Sequence, residues 1–302
     1  MTATPLPSPS ANDHGDGFTA CVMVFNSNDP SGAAGLAADL LTIASIGTHA
    51  LPVMSGTYMR DTAEIQSHFA LDDEAVTEQA RVILEDVAVQ AIKVGFVGSP
   101  ENLRVIAELA SDYADVPLLT YMPDLSWWRE DLIDLYQDAC QELLLPQTTV
   151  LVGNHSTLCR WLLPDWSAER SPGARDIARA ANECGVAFTL VTGIPVADQY
   201  IENTLCSPTA ILCTLKYLRI DALFSGAGET LSAAMTALIA NKMELTEAAA
   251  EALSYLDRCL DNGFRPGMGN AIPDRMFWAD GKEDGDDEEE SSFEISPHGT
   301  RH

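Results

Sequence analysis

The stretch Ser225-Gly226-Ala227-Gly228-Glu229-Thr230 combines residue types that can hold an anion and move a proton. Two glycines flank one small residue, and 231–241 follows with four Ala and no Pro or Gly. That order reads as a glycine turn opening into a helix. Glycine tolerates φ > 0 and lets a ligand approach the backbone closely. The first N–H groups of a helix lack intrahelical partners and carry the positive end of its dipole, so a phosphate could rest there. Glu229 stands beside that cradle, where a carboxylate could accept the proton of a hydroxyl attacking a phosphoryl group. The same residues also describe an ordinary glycine-rich helix start with a first-turn acid. Both readings stay open at this level.

The elements that must position this turn follow from periodicity. Apolar runs at 18–25, 49–54, 88–94, 116–121, 148–152, 186–191 and 209–215 are strand-length. Between and after them, 36–46, 72–86, 101–113, 129–145, 174–184, 230–241 and 245–262 carry helical spacing. Strands that alternate with helices and are near-continuously apolar predict an α/β fold with a mostly parallel sheet covered on both faces. Ligands of such sheets bind in loops beyond the carboxyl ends of strands. The loops in question begin at Asn26, Gly95, Tyr121, Gly153 and Gly193. Residues 18–279 read as one domain, preceded by a disordered segment (1–17) and followed by an acidic disordered tail (280–302).

Charge excludes some functions. The chain has 302 residues, with Asp+Glu 45 against Lys+Arg 17 and a net charge of −28. Such a surface repels nucleic acid and anionic membrane, so neither is an expected partner. Residues 280–290 hold eight acids and one Lys, net −7, which still leaves −21 elsewhere. Excess acid with only four Lys (Lys93, Lys216, Lys242, Lys282) is the composition of a surface adapted to high salt. No apolar run reaches the ~18–20 residues of a membrane span. Residues 1–17 lack the basic and apolar parts of a secretory signal. Seven Cys without a Cys-x-x-Cys pair suit reduced thiols in a cytoplasmic protein. Cys21, Cys206 and Cys213 read as strand packing. His49, His68 and His155 show no metal-ligand spacing, and no metal ligands are expected.

Four stretches in collinear order resemble one family. Asn28-Asp29-Pro30-Ser31-Gly32-Ala33-Ala34-Gly35-Leu36-Ala37-Ala38-Asp39-Leu40, after the first strand, is similar to the S/T-D-P-S-G-G-A-G-I-Q-A-D-L signature of the hydroxymethylpyrimidine/phosphomethylpyrimidine kinases of thiamine biosynthesis. Lys93-Val94-Gly95-Phe96 resembles their K-x-G-M. Gly226 through Ala234 resembles their G-T-G-C-T-L-S-A-A, and Gly267-Met268-Gly269 to Trp278 their G-H-G…W end. The likeness spans roughly 18–279. It implies a ribokinase-like three-layer αβα sandwich, usually a homodimer, that transfers the γ-phosphoryl group of ATP, with Mg²⁺, to a pyrimidine. It also implies the site. Ser27, Asp29, Arg60, Phe96 and Met122 fall on the substrate side, and Lys93, Asn154, Thr192 and Gly193 on the nucleotide side. Gly226, Ala227 and Gly228 form the anion hole, with Glu229 at the catalytic position.

The departures from the pattern cluster at the chemistry. Glu229 stands where the family carries Cys and related kinases carry Asp. The family's N-x-x-E reads Asn154-His155-Ser156-Thr157, without its Glu. Its pyrimidine-recognising Gln aligns with Arg60, its strand-end Gly with Ser27, its K-x-G-M Met with Phe96, and its Lys-Ser-Gly loop with Ser126-Trp127-Trp128. The two tryptophans either line a pocket or pack structurally. Three functions therefore follow as expectations: a pyrimidine kinase, a catalytically impaired or repurposed relative that binds a pyrimidine, nucleotide or other small phosphorylated ligand, or a kinase for a different, more acidic substrate clamped by Arg60.

Overall fold

The structure, a computed structural model, describes residues 19–279. The readings made for 1–17 and 280–302 lie outside the described residues. The strands are β1 (Cys21–Asn28), β2 (His49–Arg60), β3 (Ile65–Ala70), β4 (Ala91–Val94), β5 (Leu118–Met122), β6 (Val150–Asn154), β7 (Phe188–Pro195), β8 (Tyr200–Cys206) and β9 (Ile211–Leu218). The helices are α1 (Gly35–Ser45), α2 (Asp73–Leu84), α3 (Pro100–Asp112), α4 (Glu130–Ala139), α5 (His155–Leu162), α6 (Ala174–Glu183), α7 (Ala227–Ala240) and α8 (Leu245–Asp261).

All nine strands form one sheet in the order β3-β2-β1-β4-β5-β6-β7-β8-β9. The run from β2 to β7 is parallel, while β3 at one end and β8–β9 at the other pair antiparallel. Alternation along each central strand feeds two cores. Met23, Phe25, Ile92, Val94, Leu118 and Leu151 face α2, α3, α4, α5 and α6. Val22, Val24, Leu119, Val150 and Val152 face α1, α7 and α8. This is the mostly parallel sheet covered on both faces expected from the strand–helix alternation, and the three-layer αβα sandwich that the resemblance implies.

Three expectations change. The strand expected at 49–54 runs on to Arg60 and turns back as β3, and β8 lies between the two last expected strands. Neither β3 nor β8 is a continuous apolar run: β3 is a mostly exposed edge strand, and β8 buries the polar Asn203 and Thr204 beside Leu205 and Cys206. The long helix expected over 129–145 is α4 followed by a π-helical segment (Cys140–Leu144) and a 3₁₀ turn at Pro146. Proline removes a backbone donor and cannot continue the α-helix.

Helix α7 is the spindle of the molecule. Eleven of its 14 residues are buried, which explains why its sequence is apolar or small all round rather than amphipathic. It packs against α1 and α8 and against the underside of β1, β4, β5 and β6. The glycine turn read from the sequence is its N-terminus.

Candidate active site

The turn before α7 has the geometry that an anion cradle requires. Gly226 is the N-cap with φ 87°, the left-handed region that a β-carbon disfavours. The first helical bond runs from the Thr230 N–H to Gly226 O at 2.9 Å. The N–H groups of Ala227, Gly228 and Glu229 therefore precede any intrahelical acceptor. A Cβ on Gly226 would overlap the carbonyl oxygen of Ala33 and press on Arg275. We expect Gly226→Ala to lower kcat by at least ~10²-fold, because displacing a positioning element by about 1 Å is enough for that. Nucleotide KM and kcat measured separately check this: a loss confined to KM would place the turn outside the transition state.

The cradle opens into a cavity of about 640 Å³, within the ~300–1,000 Å³ usual for ligand pockets. Asn154, Thr192, Gly193, Ala227 and Gly228 line its polar end, and Tyr217, Leu223, Leu253, Leu256 and Leu260 form an apolar wall. Such a space, polar beside a helix N-terminus and apolar beyond it, fits a nucleotide with its phosphates on the turn. Three of the four residues expected on the nucleotide side meet here. Lys93 does not: it is fully buried, with its ammonium 5.9 Å from the ring of Tyr121, a cavity residue.

The residues at 154–157 form no seat for a protein-held Mg²⁺. Asn154 Oδ1 accepts from the backbone N–H and hydroxyl of Ser156 as the cap of α5, and Thr157 is buried without a carboxylate to offer. No group of three His, Cys, Asp or Glu is gathered in metal-binding geometry among the described residues.

Glu229 is 9% exposed and sits in a ring of charges. Burial raises its pKa above the ordinary carboxylate range, and the positive charge of Lys93 opposes that rise. A carboxylate poised upward in this way is a better proton acceptor near neutral pH than a solvated one. Below it, Lys93 Nζ lies 2.7 Å from Asp39 Oδ1, both side chains being fully buried. The contact is angled outside hydrogen-bond geometry, so it is a bare ion pair. Asn26 Nδ2 donates to the other Asp39 oxygen at 2.8 Å.

The substrate-side residues are brought together but closed over. Ser27, Asp29, Phe96 and Met122 each expose 3% or less. Asp29 Oδ1 accepts from the Ser31 N–H and hydroxyl, and Oδ2 from the Ala34 N–H, so the carboxylate organises its own loop. Arg60 adds an ion pair to Asp29 at 3.3 Å and donates to Ser225 Oγ at 3.2 Å, directly beside the cradle. Around Phe96 gather Tyr58, Trp127, Trp128, Tyr136 and His68, with centroid separations of 5.9, 5.6, 5.0, 5.1 and 4.9 Å. Trp127 and Trp128 thus pack inside this cluster over the substrate side.

His68, on the hairpin strand β3, was not singled out by its spacing. Its Nε2 lies 2.7 Å from Ser27 Oγ, which donates its one hydrogen to Phe96 O at 2.9 Å. The imidazole must then donate through Nε2. Burial pulls its pKa down to about 4. The folded state therefore holds His68 neutral while the unfolded chain protonates it near pH 6.5. Stability from this group is complete above pH 6.5 and is lost as pH falls towards 4, by up to about 3 kcal/mol. Urea titrations of wild type and His68→Gln from pH 7 to pH 4 should converge by that amount; a pH-independent gap would refute it.

Of two further residues of this site, Tyr121 was read from the sequence only as the start of a strand-end loop, and Arg275 carried no signal. The Tyr121 hydroxyl lies against Gly228, where a Cβ would overlap it. Arg275 bonds to Thr230 and to the carbonyls of Gly32 and Ala33.

Comparison with known proteins bears on the family and the fold. The chain is 27% identical over 250 residues to the hydroxymethylpyrimidine/phosphomethylpyrimidine kinase of Streptomyces coelicolor, covering 82% of this chain and 91% of that one. It is 24% identical over 246 residues to the thiamine biosynthetic bifunctional enzyme TH1 of Arabidopsis thaliana, covering 80% of this chain and 46% of that one. Among solved structures it is similar in fold to an ADP complex of Bacillus subtilis pyridoxal kinase, with TM-score 0.76, 19% identity, and 87% and 99% of the two chains covered. It is similar also to the phosphomethylpyrimidine kinase of Clostridium difficile, with TM-score 0.65, 22% identity, and 80% and 100% covered. A model of the phosphomethylpyrimidine kinase family matches residues 29–274, and the chain belongs to that family.

Proposed function

We propose that this chain catalyses ATP-dependent phosphorylation of hydroxymethylpyrimidine, its monophosphate, or both, in thiamine biosynthesis. The observation that carries the reading is the Gly226–Glu229 turn, whose N–H groups lack intrahelical acceptors, with Ala227 and Gly228 opening on a nucleotide-sized cavity beside the buried Glu229. In the proposed step the γ-phosphoryl group rests on the N–H groups of 227–229, which stabilise its charge. The acceptor oxygen attacks phosphorus, Glu229 takes the hydroxyl proton, and ADP leaves with the electrons of the broken P–O bond. Mg²⁺ would enter as the counter-ion of the nucleotide phosphates. Arg60 meets the acceptor, and an acceptor phosphate could replace Asp29 as its partner.

One observation favours a second reading, a protein that binds such ligands without turnover. The acceptor residues are sealed, with Asp29 and Arg60 paired to each other. Calorimetry with ATP and with hydroxymethylpyrimidine, followed by a coupled ADP assay across a range of KCl concentrations, separates the two. ADP release supports the kinase; heat without ADP supports the binder.

For assembly we infer a homodimer, supported by the outward apolar side chains Met54, Met59 and Phe69 of the β2–β3 hairpin. Light scattering tests it. The proposed setting is the cytoplasm, in keeping with seven cysteines carried as free thiols.

A further inference from the structure

Arg275 joins two parts of the site that are distant in sequence. It follows α8 and is 3% exposed. Its Nε–H donates to Thr230 Oγ1 at 2.9 Å, Nη1 to Gly32 O at 3.4 Å, and Nη2 to Ala33 O. Thr230 in turn donates its hydroxyl to Gly226 O at 2.8 Å. One planar guanidinium therefore holds the first turn of α7 on one edge and the loop after β1 on the other. Its own backbone is pinned from α8, where Tyr255 Oη donates to Arg275 O at 2.8 Å and Cys259 O accepts from the Asp274 N–H at 2.8 Å. Gly226 fills the remaining space, in contact range of both Ala33 and Arg275.

We propose that Arg275 is a positioning residue for phosphoryl transfer, a strut that fixes the acceptor loop 29–35 and the Gly226–Glu229 turn at one separation. This rests on the kinase reading. A rigid fork with several donors can span three fixed oxygens, whereas an ammonium on a flexible stem cannot hold the same geometry. The strut also acts on charge. The groups facing Glu229 are Lys93 from β4, Asp39 from α1, Tyr58 from β2, Tyr121 from β5 and Arg275 itself. Those facing Arg275 are Glu229, Asp39, Cys259 and Tyr255. Lys93 and Arg275 favour ionised Glu229, against its burial and the negative charge of Asp39.

Arg275→Met should lower kcat by about 10²-fold with nucleotide KM little changed, and should move the acid limb of kcat to higher pH. Arg275→Lys keeps a charge but not the fork, so it should restore the limb while kcat stays low. If kcat per folded molecule and the limb are both unchanged in Arg275→Met, with folded fraction measured by urea titration, the residue is only structural and the proposal falls. Carbon-13 titration of the Glu229 carboxylate in the full-length chain separates this from failure of the kinase reading. If wild type releases no ADP, the kinase reading falls. Arg275 is then judged on the titration alone: a higher Glu229 pKa in Arg275→Met sustains its coupling to the turn, and an unmoved one overturns it.

Discussion

Glu229→Gln should reduce phosphoryl transfer by about 10²–10⁴-fold, the usual contribution of a positioned general base, while nucleotide binding stays measurable. Gln preserves the size of the side chain and its place in the first turn of α7, so the cavity and its N–H groups are retained. What it removes is the proton acceptor. The wild-type pH profile supplies the second half of the test. Because burial raises the Glu229 pKa, the carboxylate protonates on acidification before an ordinary Glu would. Turnover should then fall as pH drops through a value above the usual carboxylate range, and that limb should vanish from the residual activity of Glu229→Gln. Unchanged turnover in the variant would remove Glu229 from the chemistry and leave the turn as an anion cradle alone.

The largest effect on stability should come from the buried pair below. Lys93→Met removes the cation from Asp39, whose carboxylate has no solvent exposure and retains a hydrogen bond from Asn26. Breaking a buried pair by removing one partner typically costs about 3–5 kcal/mol, because the remaining charge is uncompensated. Urea unfolding at neutral pH measures this directly. The double variant Lys93→Met/Asp39→Leu should recover much of the loss, since apolar groups of similar volume often replace such pairs without penalty. A loss below about 1 kcal/mol in the single variant would refute the pair as a major contributor to stability. The pair also lies beside Glu229, whose pKa the Lys93 charge lowers. Of the two expectations for Lys93, a nearby cation on the nucleotide side or a structural partner, its burial favours the second.

How far these features could be read from residues alone follows from where each signal resides. The parallel core was legible because its strands are buried on both faces and are therefore continuous apolar runs. The glycine turn was legible because its requirements are local: positive φ at Gly226 and no side chain at Gly228 under Tyr121. The hairpin strand β3 was not, since Ile65–Ala70 is the edge of the sheet, mostly exposed and half polar. With it went His68. Arg275 was out of reach for another reason: its bond to Ala33 spans 242 residues, and no pattern of types or periods encodes such a meeting. Asp29 and Arg60 were each visible as residues that could meet substrate. That they meet each other depends on β2 continuing to its end beside the loop after β1.

The near-complete burial of α7 has a consequence for how such a protein can change its trade. A helix with almost no exposed side chains tolerates few substitutions, because each one disturbs a neighbour in a close-packed interior. The turn it carries is held to one shape by the same neighbours. The β2–β3 hairpin lies at one end of the sheet, with the edge strand β3 mostly exposed and β2 packed by both α1 and α2. It supplies Tyr58, Arg60 and His68 to the acceptor side. Innovation in this architecture is thus channelled towards the rim. The backbone of the phosphate turn is held by α7, so change there is confined to side chains such as Glu229, while exposed positions of β3 can be replaced at modest thermodynamic risk. Arg60 and His68 themselves are anchored by Asp29 and Ser27, so the freely replaceable positions are the exposed neighbours Gln66, Ser67, Phe69 and Ala70.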